Sequence, residues 1–209
     1  VPSGCGCAAC QAAAKADLAS DYTGTASATL TEAGSLYSGY RWGSGTGGIT
    51  LTYKFFAVLP TYYTAGIDEG KNFQAFNGQM KAATERILDQ LESFTNITFV
   101  ETSGTSQLGF AQASLPSGVG AWAYYPTTHS LGGDVWTNNI YSSTQNPVEG
   151  NYAFYTLMHE VGHALGLQHT FTAGLTGDEA SSRYSVMAYD WSPFFSSSYM
   201  VYDIAALQK

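Results

Sequence analysis

The pattern that most constrains this chain is an eleven-residue run, H-E-x-x-H-x-x-G-x-x-H, at residues 159–169. On a helix, residues four apart lie on one face, so His159 and His163 can present two imidazoles to one point. Gly166 is where such a helix is expected to end, because glycine tolerates the left-handed conformation that turns the chain sharply. The turned chain would then bring His169 back as a third nitrogen ligand. The run therefore predicts a helix that ends beside a three-histidine metal site.

The three histidines predict the catalytic form of a zinc site. Three neutral imidazoles leave one tetrahedral position of a zinc ion open, whereas structural zinc sites are closed by four protein ligands. Glu160, next to the first histidine, has the chemistry to take a proton from a zinc-bound water. The alternative is an amphipathic helix with stacked surface histidines, but this leaves the glutamate, the glycine and the third histidine at these offsets unexplained. The chain has only four histidines, and three of them lie in this run, which favours one catalytic zinc ion in a peptidase.

The composition limits the domain count and the partners. A length of 209 residues fits one domain or a two-lobed single domain. A net charge of −8, without any cluster of Lys or Arg, argues against nucleic-acid and membrane partners. A charged fraction of only 11% and fifteen tyrosines are typical of a secreted bacterial surface. We therefore expect a monomer that is secreted into the extracellular medium.

The spacing of apolar residues predicts an α+β domain with a mixed five-stranded sheet. Three helices are expected, at residues 72–94, 151–165 and 200–209. Five strands are expected, at residues 49–55, 97–101, 108–111, 120–126 and 133–136. Residues 1–24 are rich in Ala, Gly and Ser and are assigned to a peripheral N-terminal segment with a short helix over residues 8–20. Residues 25–209 are assigned to the zinc-binding domain.

A second motif narrows the class of the site. Met187 stands eighteen residues after His169, in the run Ser-Val-Met-Ala-Tyr. Together with the histidine run, it resembles the metzincin clan, whose members carry a tight methionine-containing turn beneath the metal. By that resemblance, Met187 is a hydrophobic floor under the imidazoles and not a ligand; taken alone, it would indicate ordinary packing. Tyr189 stands where serralysins and astacins carry a tyrosine that can reach the zinc.

From about residue 38 to its end, the chain resembles the catalytic domain of the serralysins. The matching runs are Gly-Tyr-Arg-Trp at 39–42, Ala-Trp-Ala-Tyr-Tyr-Pro at 121–126, the zinc motif, and Tyr-Asp-Ile-Ala-Ala-Leu at 202–207. An astacin-like protease is the alternative, but astacins are normally disulfide-bonded and the body of this chain has no cysteine. Serralysins usually continue into a glycine- and aspartate-rich calcium-binding repeat, and no such nonapeptide occurs here. We therefore expect a catalytic domain of a longer protein or a naturally short relative, and calcium dependence stays open.

The resemblance implies a two-lobed metzincin fold and a zinc-dependent endopeptidase that cleaves unfolded or flexible protein segments. Glu160 would accept the proton of the zinc-bound water as the water attacks the peptide carbonyl. Tyr189 would bind the zinc at rest and then stabilise the oxyanion; the alternative for it is a half-buried core tyrosine. An extended substrate would pair with the rim strand, formed by Ala121, Trp122, Ala123 and Tyr124. A zinc-binding interaction module without catalysis is the competing function, and the presence of Glu160 argues against it.

Three other residues are interpreted as structural. Asp134 lies in the strand after the rim strand. Asp203 lies near a helix start, where it either caps the helix or holds a ligand histidine in its tautomer. His129 lies outside the zinc motif and is expected on the surface of a loop.

All three cysteines, Cys5, Cys7 and Cys10, lie within the N-terminal segment, so no disulfide can staple the body of the domain. Three interpretations are open. The cluster is an incidental part of the terminus, or two of its cysteines form a disulfide bond and leave one thiol, or it is a latency device. In the last case one thiolate, a strong zinc ligand, occupies the open zinc position and the segment is the remnant of a pro-segment. A pro-segment cysteine acts in this way in another metzincin family, but not in the serralysins.

The latency interpretation makes a direct prediction. Joint replacement of Cys5, Cys7 and Cys10 by serine should raise the rate of cleavage of an unfolded protein substrate at once, because serine is a far weaker zinc ligand than a thiolate. The initial rates of the wild-type chain and the triple variant, at equal zinc content, provide the measurement. Equal rates would rule out the latency device.

Overall fold

The described part of the chain, residues 36–43, 47–63, 67–190 and 195–209, folds around one mixed β-sheet in the computed structural model. Its strands and α-helices, in chain order, are β1 (Ile49–Phe55), α1 (Gly78–Phe94), β2 (Ile97–Glu101), β3 (Leu108–Ala113), β4 (Ala121–Ala123), β5 (Asp134–Asn138), α2 (Tyr152–Ala164) and α3 (Val201–Leu207). No helix in these residues combines the length and apolarity needed to span a bilayer. The predicted helix over residues 8–20 and the three cysteines, Cys5, Cys7 and Cys10, lie outside the described residues.

The sheet has the strand order β2-β1-β3-β5-β4. All neighbouring strands are parallel except β4, which runs antiparallel to β5 at one edge. β3 and β5 are buried along their whole length, as expected of strands that have neighbours on both sides and apolar layers on both faces. The α+β class and the mixed five-stranded sheet predicted from the sequence are therefore confirmed.

Each face of the sheet packs against its own apolar cluster. On one face, β1 and β3 pack with α1 and α2 around Phe110, Ile87, Leu91 and Leu157. On the other face, Trp136 packs with Phe56, Tyr63, Leu115 and Trp122 from the strands and the loops that cover them. Successive residues of β3 divide between the two clusters, since Phe110 belongs to the first and Ala111 to the second. This division follows from the alternation of side chains along a strand.

α1 starts six residues later than the predicted residue 72. Asn77 caps it, because its side-chain oxygen accepts a hydrogen bond from the Met80 amide at 2.9 Å. Gln74, just upstream, instead pairs with Gln112 of β3, and Phe73 packs against Trp136 on the opposite face of the sheet. The apolar spacing of residues 72–77 therefore arises from two different clusters and not from one helix face.

The strand bounds agree with the sequence for the first two strands and differ for the other three. β3 and β5 extend beyond the predicted ends because Gln112 pairs with Thr137 and Ala113 with Asn138. β4 is limited to three residues, Ala121–Ala123, within the predicted 120–126. Backbone pairing sets these lengths, and it includes polar residues that an apolar pattern does not detect.

Two buried carboxylates accept hydrogen bonds from aromatic side chains around β4 and β5. Glu69 accepts hydrogen bonds from the Trp122 indole N–H at 3.1 Å and from the Tyr124 hydroxyl. Asp134 accepts hydrogen bonds from the hydroxyls of Tyr62 at 2.9 Å and Tyr63 at 2.8 Å. Burial raises the pKa of Asp134 to about 7, against the opposing effect of these two hydrogen bonds. Asp134 thus has the structural place expected from the sequence.

α2 ends at the predicted glycine in a Schellman turn. The Leu167 amide donates to the Gly162 carbonyl and the Gly166 amide to the His163 carbonyl, both at 2.9 Å. Gly166 has a φ of 104°, and a Cβ atom on it would lie 2.1 Å from the Tyr40 carbonyl oxygen. This position therefore requires glycine for two reasons, its backbone conformation and the close approach of another segment.

Replacing Gly166 with alanine should lower the free energy of unfolding by about 3 kcal/mol or more, because strain and the collision with Tyr40 add. Gly118→Ala is the matched control, since Gly118 has a φ of 88° and open space around its Cβ position; it should cost about 1–2 kcal/mol from backbone strain alone. Urea unfolding in the presence of a chelator provides the measurement. Equal costs for the two variants would contradict the steric part of the argument.

Candidate metal centre

The three histidines of the motif meet in the interior of the molecule. His159 and His163 come from consecutive turns of α2, and His169 follows the turn at Gly166. Their exposed fractions are 2%, 0% and 4%. The His169 Nε2 atom lies 3.2 Å from Nε2 of His159 and 2.9 Å from Nε2 of His163. Within the described residues, this is the group of three or more His, Cys, Asp or Glu side chains with ligand atoms that converge as at a metal site.

Hydrogen bonds at the other ring nitrogens show that the group fits a zinc ion. The Nδ1 atom of His159 lies 2.8 Å from the Val186 carbonyl, and that of His163 lies 2.7 Å from the Leu167 carbonyl. A carbonyl only accepts hydrogen bonds, so each Nδ1 carries the proton and each Nε2 presents a lone pair. Lone pairs that converge in a buried space repel one another unless a cation lies between them, and a set of imidazole nitrogens suits zinc.

The electrostatic surroundings keep the imidazoles neutral. Burial lowers the pKa of His159 to about 4. Burial and the neighbouring His159 lower the pKa of His169 to about 2. Burial, with the two other histidines, also lowers the pKa of His163. The neutral imidazole is the form that binds a metal ion, so the site is ready for binding without the loss of a proton.

The turn that contains Met187, residues 185–189 and called the Met187 turn below, lies against α2, which carries the first two histidines. Met187 is fully buried, and a Cβ atom on Gly162 would lie only 2.8 Å from its sulfur atom. The glycine one position before His163 therefore lets the methionine pack directly on α2. The preceding residue of the turn, Val186, provides the carbonyl that orients His159.

Asp203 connects the Met187 turn to α3. Its carboxylate accepts a hydrogen bond from the amide of Met200, the N-cap residue of α3, and another from the Val186 amide, both at 2.8 Å. It also accepts one from the Ser185 hydroxyl at 2.6 Å. Burial raises the pKa of Asp203 to about 6, although these hydrogen bonds oppose the rise. The predicted helix cap is confirmed. The same carboxylate is linked to His159 through one residue, Val186, whose amide donates to Asp203 and whose carbonyl accepts from His159.

Tyr189, two residues after Met187, contacts the histidines. Its hydroxyl lies 3.0 Å from Nε2 of His169. Its ring centroid lies 4.7 Å from that of His169 and 5.7 Å from that of His159. The hydroxyl therefore lies beside the point on which the ring nitrogens converge.

Glu160 is fully buried next to His159, and an unpredicted tyrosine lies close to it. Burial and, secondly, the charge of Glu160 raise the pKa of Tyr125. The Tyr125 ring meets His163 edge to face, with centroids 5.6 Å apart, and stacks on Tyr40 at the same distance. The sequence placed Tyr125 only in the rim strand; its position two residues after β4 was the available signal that it borders the site.

The predicted substrate strand lies at the edge of the sheet beside the metal-binding helix. Ala121, Trp122 and Ala123 form β4, and α2 packs directly against it. Tyr124 follows β4, and its amide donates to the Asp134 carbonyl at 3.0 Å. α2 thus connects this strand to the metal centre, because it packs against β4 and carries His159 and His163.

Phe171 is a second aromatic residue at the site that the sequence analysis missed. Its ring stacks on the His169 ring, with centroids 4.8 Å apart and planes inclined by 19°. It also meets the Tyr189 ring at 5.3 Å. A phenylalanine two residues after a motif has no pattern of its own, so only the structure shows this contact.

His129 lies apart from the three motif histidines, exposed in the loop between β4 and β5. Its Nδ1 atom accepts a hydrogen bond from the Leu131 amide at 3.3 Å. The expectation of a surface histidine is confirmed.

The fold and the three-histidine centre define a metzincin-like domain with a metal site that suits zinc, and comparison with known proteins agrees. A family model described as metallo-peptidase family M12 matches residues 14–202. The chain belongs to this family.

Named relatives come from several bacteria. The metallopeptidase AprA of Pseudomonas marginalis is 33% identical over 201 residues, which cover 81% of this chain and 41% of the relative. A serralysin of Photorhabdus laumondii is 32% identical over 199 residues, with 81% and 41% coverage. Serralysin B of Dickeya chrysanthemi is 34% identical over 190 residues, with 76% and 38% coverage. The resemblance to serralysins is confirmed, and the chain spans about two fifths of the length of these relatives.

We predict one zinc ion per chain, which is lost when any of its three ligands is removed. His159→Ala, His163→Ala and His169→Ala should each lower zinc affinity at least about 100-fold, since even partners of metal ligands contribute about 10- to 100-fold. His129→Ala is the matched control and should retain the zinc of the wild-type chain. Metal content after gel filtration and the rise in melting temperature on zinc addition provide the measurement. Full zinc retention in a variant of the motif would contradict the assignment.

Proposed function

We propose that this chain is the zinc-dependent catalytic domain of an endopeptidase that hydrolyses internal peptide bonds of extended protein segments. The observation that carries the proposal is the convergence of three buried, neutral imidazoles beside Glu160 and the Tyr189 hydroxyl. Membership in metallo-peptidase family M12 supports it. The names of the relatives describe a metallopeptidase and serralysins, which supports the same class of reaction.

His159, His163 and His169 would hold the zinc ion. When bound there, zinc lowers the pKa of a coordinated water towards neutrality and polarises a carbonyl group. The Nδ1 hydrogen bonds to Val186 and Leu167 keep the first two rings in the orientation that this binding needs.

Glu160 is proposed as the general base and later the general acid. Hydrolysis of a peptide bond needs two proton transfers, one from the attacking water and one to the leaving nitrogen. The Glu160 carboxylate, in α2 next to His159, accepts the first proton and returns it to the amine. Its full burial excludes bulk water from that exchange.

The Tyr189 hydroxyl is proposed as a metal ligand at rest and as a donor to the oxyanion during the reaction. Its hydroxyl already lies 3.0 Å from a ring nitrogen of the centre. A hydrogen bond to a developing oxyanion contributes about 2.7–4 kcal/mol in other hydrolases.

The β4 edge is proposed as the substrate-binding strand. A peptide that adds to a sheet edge is held through its main chain, so recognition depends little on sequence and requires an extended segment. Glu69 accepts hydrogen bonds from Trp122 of β4 and from Tyr124 just after it, and these bonds hold the edge strand in place. Unfolded or flexible proteins are therefore the expected substrates.

The place of action is proposed to be outside a bacterial cell, with the domain acting as a monomer. The low charged fraction and the many tyrosines support a secreted surface. The relatives named above all come from bacteria. A net charge of −8 argues against nucleic acid as a partner.

The test is cleavage of an unfolded protein by the zinc-loaded chain, beside its Glu160→Gln variant and a chelator-treated sample. Loss of the base should lower kcat by about 100- to 10,000-fold with zinc content unchanged, and added zinc should restore the chelated sample. Glu149→Gln is the matched control, because Glu149 is an exposed residue paired with Arg86; it should retain the wild-type rate. A zinc-loaded wild-type chain that cleaves nothing, or a fully active Glu160→Gln variant, would contradict the proposal.

A further inference from the structure

We propose that Phe171 forms one wall of a subsite beside the metal centre that binds an aromatic or large apolar side chain of the substrate, next to the bond that is cleaved. This inference rests on the proposed endopeptidase function and specifies which side chains the site selects. The inference is based on the position of the Phe171 ring, on its exposure to solvent, and on the hydrogen bonds that hold its segment.

The Phe171 ring is exposed to solvent although it lies against a buried metal-binding residue. Its exposed fraction is 51%, and yet one face stacks on His169, which is itself only 4% exposed. Single exposed apolar side chains are common on protein surfaces. Among the large hydrophobic residues that are exposed in the described part of the chain, however, Phe171 is the one with a ring against the histidine centre.

Backbone hydrogen bonds hold the segment that carries the ring. The Thr170 amide donates to the Met187 carbonyl at 3.4 Å, and the Leu175 amide donates to the Thr170 carbonyl at 3.0 Å. The Ala173 amide donates to the His169 carbonyl at 2.9 Å. Phe171 is thus tied to both the Met187 turn and the third histidine, so a ligand that contacts its ring does not have to order a loose loop.

The rings around Phe171 determine what chemistry fits beside it. His169 occupies one face, and Tyr189 approaches at 5.3 Å with its plane inclined by 67°. The exposed remainder of the ring presents an apolar surface and no hydrogen-bonding group. A substrate ring can stack on it at the usual 4.5–7 Å between centroids, whereas a charged side chain would lose hydration without a partner. Because His169 is part of the centre, the side chain that reaches this surface belongs to a residue flanking the scissile bond.

A competing explanation is that Phe171 only shields His169 from water. The two explanations differ in what a truncation changes. A shield protects the metal site equally for every substrate, whereas a subsite wall contributes only when the substrate has a side chain that contacts it.

Two series of quenched fluorescent peptides separate these explanations. Each series varies one residue, Phe, Leu, Ala or Asp, on one side of the scissile bond. In one of the series, the zinc-loaded wild-type chain should cleave the Phe peptide with a kcat/KM about tenfold above that of the Ala peptide. Phe171→Ala should bring this ratio close to one. Ile140→Ala is the matched control, since Ile140 is 50% exposed elsewhere on the surface, and it should keep the wild-type ratio.

An unchanged Phe-to-Ala ratio in Phe171→Ala would overturn the inference. Equal losses for all peptides, together with a loss of bound zinc, would also overturn it and establish the shield.

Binding to the zinc-loaded Glu160→Gln variant, with and without Phe171→Ala, gives a readout that does not depend on turnover. The Phe peptide should bind about tenfold more tightly than the Ala peptide only when Phe171 is present. Selective binding without cleavage by the wild-type chain would contradict the proposed function and support the subsite. Cleavage without any selectivity would support the function and contradict the subsite.

Discussion

The metal centre depends on two hydrogen bonds that decide which nitrogen of each histidine carries the proton. The carbonyls of Val186 and Leu167 hold the Nδ1–H groups of His159 and His163, and so turn the Nε2 lone pairs towards His169. Both carbonyls belong to chain that follows α2. The helix can place two imidazoles on one face, but it cannot orient them until the chain has turned at Gly166 and returned beneath it.

The return of the chain links the metal centre to the far end of the sequence. Asp203, in the first turn of α3, accepts hydrogen bonds from Met200, the N-cap residue of that helix, and from the Met187 turn. Met187 in turn packs against Gly162 of α2. The orientation of His159 is therefore coupled to the docking of α3 through a single buried carboxylate. Its three hydrogen bonds oppose, without cancelling, the rise in pKa that burial causes. A site of three ligands thus draws on contacts from α2, the turn at Gly166, the Met187 turn and α3.

Aromatic rings enclose the same centre from two sides. Tyr125, stacked on Tyr40, borders His163, and Phe171 with Tyr189 borders His169. Apolar rings at the border exclude water from the ligands and offer contact surface to a substrate.

The sequence by itself determined what depends on local periodicity and on backbone restrictions. The three histidines with Glu160, the helix end at Gly166, the strands at 49–55 and 97–101 and the α+β class follow from helical and strand spacing and from the conformational freedom of glycine. Only the tertiary structure decided the start of α1, the lengths of β3 to β5, and the positions of Tyr125 and Phe171 at the site. Most of these depend on contacts between segments distant in the sequence, as between Gln74 and Gln112 or Tyr125 and His163. Such contacts follow from how the sheet, the helices and the returning chain pack together, and no local pattern of residues encodes them.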